Sequence, residues 1–81
     1  MKTRTDLVSS LIEALETRAH KEVEGSRLVT VNIEPLYSET NEEPEISVRL
    51  LKASARACFL QAFAESEGQP VMKARAVFRK S

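Results

Sequence analysis

Apolar residues recur at steps of three and four over residues 5–23, TDLVSSLIEALETRAHKEV, and form one continuous stripe. The stripe consists of Leu7, Val8, Leu11, Ile12, Leu15, Ala19 and Val23. The segment TRTD at residues 3–6 has the spacing of a capping box, and Gly25 follows the last turn, where a left-handed C-cap is favoured. The pattern predicts an amphipathic helix over residues 5–23.

From Arg27 onward the apolar period changes to two. The segment RLVTVNIEPLY, residues 27–37, places Val29, Val31 and Ile33 on one side and predicts a β-strand rich in β-branched residues. Pro35 has no N–H for a ladder hydrogen bond, which favours an edge, a bulge or the end of the strand. The polar, acidic segment SETNEEP, residues 38–44, predicts a loop.

Three further strands are predicted at residues 45–54, 56–66 and 71–80, the last two joined by a turn around Gly68. In the final strand the residues predicted to face inward are Met72, Ala74, Ala76 and Phe78, and those predicted to face outward are Lys73, Arg75 and Arg79. The element order is therefore α-β-β-β-β, with the second to fourth strands forming an antiparallel meander.

The third strand carries apolar side chains on both faces, which is typical of a strand inside an assembly. Phe59 and Phe63 share one of its faces. The inward positions of the last two strands are small and leave room for the helix: Ala62, Ala64, Ala74 and Ala76. The predicted fold class is α+β, with one N-terminal helix packed on the concave face of a curved four-stranded antiparallel sheet.

The chain has 81 residues, which bounds it to one domain over residues 1–81. Cores of this size seldom give more than about 3–5 kcal/mol of net stability without a metal, a disulfide or oligomerisation. With one Cys and one His, the sequence allows neither an intrachain disulfide nor a zinc cluster. We therefore expect a homo-oligomer, with no metal and no cofactor.

The charges balance, with 12 Lys and Arg against 12 Asp and Glu. We therefore expect no nucleic-acid partner, and the outward side of the last strand shows no aromatic residues between its cations. No stretch approaches the roughly 20 apolar residues that span a bilayer, and the N-terminus lacks the apolar core of a signal peptide. We expect a cytoplasmic, soluble protein that does not enter membranes.

Two stretches together resemble a known family. VTVNIEPLYSE, followed by EISVRLLKASARACFLQAFAESEGQPVMKARAVF, resembles the latter part of hotdog-fold thioesterase-like domains, in alternation, glycine turn and small residues. The resemblance covers roughly residues 9–80. It implies a long helix wrapped by a curved antiparallel sheet, dimers formed through sheet edges, and acyl thioesters of coenzyme A or of carrier proteins bound at the dimer interface.

The same resemblance implies acyl-CoA thioesterase activity, but the chain departs from the family pattern before the helix. Many catalytic members have a glycine-containing loop there, whose amides polarise the thioester carbonyl. The segment MKTRT holds no glycine. The alternative is a non-catalytic module of the same fold that binds a small ligand or a protein, or a structural protein that binds through its sheet edges.

Two helix glutamates are candidates for the catalytic carboxylate, which would activate water. The motif SLIE places Glu13 where one branch of the family has an acidic residue. At about 100° per residue, Glu13 points away from the apolar stripe, whereas Glu16 lies at its border. Both stay candidates, and the alternative is that both are solvated surface residues.

Other polar residues have weaker assignments. His20 is a candidate proton shuttle or a solvated helix residue, and Cys58 a candidate nucleophile or a packed thiol. Asn32 is a candidate ligand donor. Lys73 and Arg75, with Arg79, are candidates for binding the phosphates of coenzyme A; the alternative is that these cations pair with the acidic residues 39–45 of another copy.

Overall fold

A computed structural model of the protein describes residues 4–36 and 44–80. They form one helix and four strands: α1 (Arg4–Glu22), β1 (Arg27–Pro35), β2 (Glu45–Ala53), β3 (Ala57–Ser66) and β4 (Gln69–Arg79). The four strands make one antiparallel sheet in the order β1-β4-β3-β2. The predicted element order is confirmed.

The helix forms where the apolar stripe predicts it, and its ends follow known preferences. Asp6 lies in the first turn and His20 and Lys21 in the last, as the helix dipole favours. Gly25 then adopts a φ of 79°, which a side chain would disfavour. The Ser26 amide donates to the Val23 carbonyl at 3.2 Å and closes the turn into β1.

The sheet is a β2–β3–β4 meander, as predicted, and β1 is added beside β4. The two central strands are therefore β3 and β4, and the edges are β1 and β2. Pro35 is the last residue of the edge strand β1, where its missing N–H breaks no central ladder. The β3–β4 turn contains Glu67 and Gly68, both at positive φ, so β4 begins at Gln69 rather than at residue 71.

The core lies between α1 and one face of the sheet, which we call the inner face. The helix packs chiefly against β3 and β2. Leu11 and Leu15 are fully buried, as are most of the residues opposite them on the sheet. The buried inner-face residues of β3 and β4 are Cys58, Leu60, Ala62, Ala64, Met72, Ala74, Ala76 and Phe78. The predicted arrangement, a helix accommodated by small residues on a curved sheet, is confirmed.

Both edge strands contain a β-bulge. The register skips Val29 in β1, between Leu28 and Thr30, and Leu51 in β2, between Leu50 and Lys52. A bulge bends and twists the strand that carries it, which assists the curvature of the sheet. The extra residues are left with 59% and 47% of their surface exposed, respectively.

No helix within residues 4–36 and 44–80 combines the length and the apolar character needed to cross a membrane.

Candidate ligand site on the outer face of the sheet

The face of the sheet opposite α1, which we call the outer face, brings three predicted ligand residues together. In the β1–β4 register Asn32 stands opposite Arg75, and Glu34 stands opposite Lys73. These four side chains line a recess of about 170 Å³, here called the charged recess. Asn32 is thus a neighbour of Lys73 and Arg75 on the adjacent strand, although it lies far from both in the sequence.

The charged recess contains one ion pair. Lys73 Nζ lies 3.3 Å from Glu34 Oε2, with 34% and 60% of the two side chains exposed. Exposed pairs of this kind are worth only about 0–1 kcal/mol, so the pair holds Lys73 loosely. Lys73 therefore has an acidic partner within its own chain. The acidic segment considered as an alternative partner lies outside the described residues, apart from Pro44 and Glu45.

A second recess of about 210 Å³ continues from the first. Its lining residues are Thr30, Asn32, Leu51, Phe59, Leu60, Arg75, Ala76 and Val77. We call it the apolar recess, because Leu51 and Phe59 present large apolar side chains there, 47% and 44% exposed. Asn32 and Arg75 line both recesses. Together the two form one outer groove, with a charged end, an apolar end and Arg75 between them.

Two aromatic rings of the neighbouring strand β3 lie beside the cations of β4. Phe59 pairs with Val77, and Phe63 pairs with Lys73, so both rings stand on the outer face beside the cations of β4. The alternation of β3 gave the face of each ring, but only the β3–β4 register shows which charges lie next to them. Phe59 and Leu51 are the two large, exposed apolar residues of the lining, and sequence reasoning did not select either as a ligand contact.

The zero net charge hides a separation of charge within the described residues. On the outer face cations outnumber acids: the cations are Arg27, Arg49, Lys52, Lys73, Arg75 and Arg79, and the acids are Glu34, Glu45 and Glu65. On the exposed side of α1 the acids outnumber the cations: Asp6, Glu13, Glu16 and Glu22 accompany Arg18 and Lys21. The Arg18 Nε–Glu22 Oε1 pair, at 2.9 Å, lies on that helix surface. An anionic ligand is therefore favoured on the outer face and disfavoured on the helix side.

The two candidate catalytic glutamates lie elsewhere. Glu13 and Glu16 are exposed on α1, which covers the inner face. The Glu13 carbonyl accepts a hydrogen bond from Thr17 Oγ1 at 2.9 Å. Because the sheet stands between α1 and the outer groove, one chain does not bring either carboxylate to Asn32, Lys73 or Arg75.

His20 and Cys58 have structural surroundings. His20 Nε2 lies 3.2 Å from the Ser26 carbonyl oxygen and donates to it when it carries the proton, which ties the helix end to the start of β1. Cys58 is fully buried. Burial raises the pKa of its thiol, and the carboxylate of Glu22 acts in the same direction. A thiol that resists ionisation is a packing group rather than an activated nucleophile.

Within the described parts of the chain, no group of three or more His, Cys, Asp and Glu side chains is arranged to hold a metal ion.

Comparison with known proteins identifies the fold. No model of a protein family matches the sequence, and no curated protein matches it. Among solved structures, the chain is similar to a thioesterase from Thermus thermophilus, crystallised in complex with coenzyme A and zinc, with a TM-score of 0.77.

The alignment covers 98% of this chain and 65% of the thioesterase, so this chain spans less than two thirds of that protein's length. Only 12% of the residues are identical, so the likeness concerns the fold. The hotdog-like fold implied by the sequence is thereby confirmed: the chain has the fold of a thioesterase.

Proposed function

We propose that this chain binds acyl thioesters of coenzyme A and acts on them as a thioesterase. The observation that carries the proposal is the charged recess, in which Asn32, Lys73 and Arg75 meet on adjacent strands. The shared fold with a thioesterase that was crystallised with coenzyme A supports the ligand class.

The recess has the donors that phosphate groups require. The Arg75 guanidinium offers paired N–H donors, the Lys73 ammonium a compact charge and the Asn32 amide a neutral donor. Charge-assisted hydrogen bonds of this kind are the strong ones, each worth about 1.5–3 kcal/mol. Since the recess is open to solvent, we expect binding to weaken as salt is added.

For hydrolysis, we propose that Glu16 or Glu13 acts as a general base. The carboxylate takes a proton from water, the water oxygen bonds to the thioester carbonyl carbon, and the carbon–sulfur bond then breaks. The products are a carboxylic acid and the thiol of coenzyme A, which receives a proton. Within one chain the sheet lies between the two glutamates and the outer groove. The reaction therefore requires a second copy to bring its helix to the bound ligand.

Self-association is therefore part of the proposal. The edge strand β1 exposes Leu28 and Val29, and Leu36 beyond its end is also exposed, with exposed fractions of 38%, 59% and 40%. An edge with apolar side chains is suited to pairing with another chain. Light scattering after size exclusion tests this: we expect a dimer or larger assembly that Val29→Asp weakens, whereas a stable monomer at micromolar concentration contradicts it.

Calorimetric titration with coenzyme A tests the binding proposal. We expect Arg75→Gln to weaken binding about tenfold or more, because a charge-assisted hydrogen bond is lost. Arg49→Gln is the matched control, since Arg49 is an exposed arginine of the outer face that does not line the recess. Absence of binding by the unaltered chain would refute the proposal.

A panel of acyl-CoA thioesters tests the reaction. We expect the unaltered chain to hydrolyse at least one of these thioesters. Glu16→Gln or Glu13→Gln should abolish turnover while coenzyme A binding is retained. Binding without turnover on any chain length would instead indicate the non-catalytic ligand-binding module.

A further inference from the structure

We propose that the outer groove binds the nucleotide end of coenzyme A, with the adenine ring on Phe59 in the apolar recess and the phosphates at Arg75 and Lys73. This inference rests on the proposed function and assigns a specific part of the ligand to each end of the site.

The apolar recess offers a platform for a flat ring. Phe59 lies on the central strand β3, with Val77 opposite it on β4 and Leu51 beside it on β2. Phe59 leaves 44% and Leu51 leaves 47% of its surface exposed, on a face whose other exposed residues are mostly charged. Aromatic side chains on a sheet are stacking surfaces for nucleobases, worth about 1–3 kcal/mol per base.

The position of the apolar recess next to the charged recess favours adenine over the acyl group as the occupant of the apolar recess. Arg75 and Asn32 line both recesses, so the apolar part of the ligand must adjoin its anionic part. In coenzyme A the adenine is separated from the phosphates by a single ribose, whereas the acyl group is separated from them by the long pantetheine arm. An acyl chain in the apolar recess would also press hydrocarbon against Asn32 and Arg75, which disfavours it.

The two cations are not equivalent in this arrangement. Lys73 shares its charge with Glu34, 3.3 Å away, and that carboxylate repels a phosphate. Arg75 stands at the junction of the recesses, opposite Asn32 in one ladder and Gln61 in the other. We therefore expect Arg75 to contribute more to phosphate binding than Lys73 does.

Titration of the full chain with adenosine 3′,5′-bisphosphate and with pantetheine tests the assignment. We expect the bisphosphate to bind and pantetheine to bind more weakly or not at all. Phe59→Ala should weaken bisphosphate binding about tenfold through lost stacking, and Phe59→Trp should restore it. Phe63→Ala is the matched control, because Phe63 is on the same strand and face but does not line the groove, and its effect should stay within about twofold.

The outcomes separate this inference from the proposed function. The nucleotide assignment is overturned if coenzyme A binds but the bisphosphate does not. It is also overturned if Phe59→Ala changes the affinity for neither coenzyme A nor the bisphosphate. In both cases the proposal that the chain binds thioesters stands. If the bisphosphate binds as described, while acyl-CoA is not bound more tightly than the bisphosphate and is not hydrolysed, the nucleotide assignment stands and the thioesterase proposal fails. Tighter binding of a short oligodeoxyadenylate than of the bisphosphate would overturn the assignment in favour of single-stranded nucleic acid.

Discussion

The two faces of one sheet carry opposite kinds of residue. On the inner face β3 and β4 present alanines that are at most 2% exposed: Ala62, Ala64, Ala74 and Ala76. On the outer face the same strands present Phe59, Phe63 and a row of cations. The small residues are buried because the helix fills the space above them, and a large ring stands in solvent because nothing in the described chain covers it.

The comparison shows that the alanines of the inner face mark where the helix approaches the sheet closely, since the larger inner-face residues Leu60, Met72 and Phe78 are equally buried. Small residues let the helix backbone approach, and its leucines then supply the apolar contact. The outer face lacks such a layer within the described residues and presents chemistry suited to an anionic ligand with a flat ring. The inner face is therefore structural, and the outer face is where we propose function.

Truncating a buried leucine side chain of the helix should have the largest effect on stability. Leu15 is fully buried against the inner face, and Leu15→Ala should lower the free energy of unfolding by about 2–5 kcal/mol through lost apolar contact and a cavity. Leu51→Ala, on the outer face, should cost less than about 0.5 kcal/mol. Urea denaturation measures both, and similar losses would contradict the difference between the faces.

Enlarging an inner-face alanine should have the next largest effect. Ala74→Leu must displace the helix or strain its neighbours, and we expect a loss of about 1–3 kcal/mol. Val77→Leu adds a methylene on the same strand but on the outer face and should be nearly neutral. If Ala74→Leu leaves the melting temperature unchanged, the helix is not closely packed on β4.

Removing the acid of the charged recess should alter binding more than folding. Glu34→Gln deletes an exposed ion pair and should change stability by no more than about 1 kcal/mol. Because the carboxylate repels phosphate, the variant should bind coenzyme A more tightly, and the gain should shrink at high salt. Weaker binding by this variant would indicate that Glu34 positions Lys73 for the ligand.

The buried thiol should give the smallest effect, seen only in alkaline solution. Burial raises the pKa of Cys58 above its ordinary value of 9.0, so the unfolded chain releases this proton at lower pH than the folded chain does. The associated stability is complete below the unfolded pKa and is lost as the pH rises through the folded pKa. Urea denaturation between neutral and alkaline pH should show a decline that is shallower in Cys58→Ala; identical slopes would contradict it.

Periodicity predicted the elements of this fold to within about two residues, because the helix stripe and the strand alternation are local signals. Which strands pair is harder to predict from the sequence. Strand β1 pairs with β4, which follows it only after β2 and β3 in the chain, and no local pattern indicates this. The bulge at Val29 belongs to the β1–β4 ladder and the bulge at Leu51 to the β2–β3 ladder, and strand alternation alone indicates neither.

The candidate site likewise has features that the local sequence predicts and features that depend on strand pairing. Alternation gave the outward direction of Lys73 and Arg75, and their shared recess with Asn32 follows from the β1–β4 register. Phe59 was recognised as a residue of the second apolar face of β3, but its place beside Arg75 required the three-dimensional order of the strands. The described helix does not bring Glu13 or Glu16 to this groove, so their predicted role needs a second copy.

Side-chain NMR during titration with coenzyme A tests most directly whether ligand binds the outer face. The resonances of Phe59, Leu51 and Val77 should shift progressively and saturate, while the methyl groups of Leu11 and Leu15, buried beneath the helix, should stay unchanged. Shifts confined to the helix and inner face, with the outer-face signals unaffected at saturation, would contradict the assignment of the ligand site.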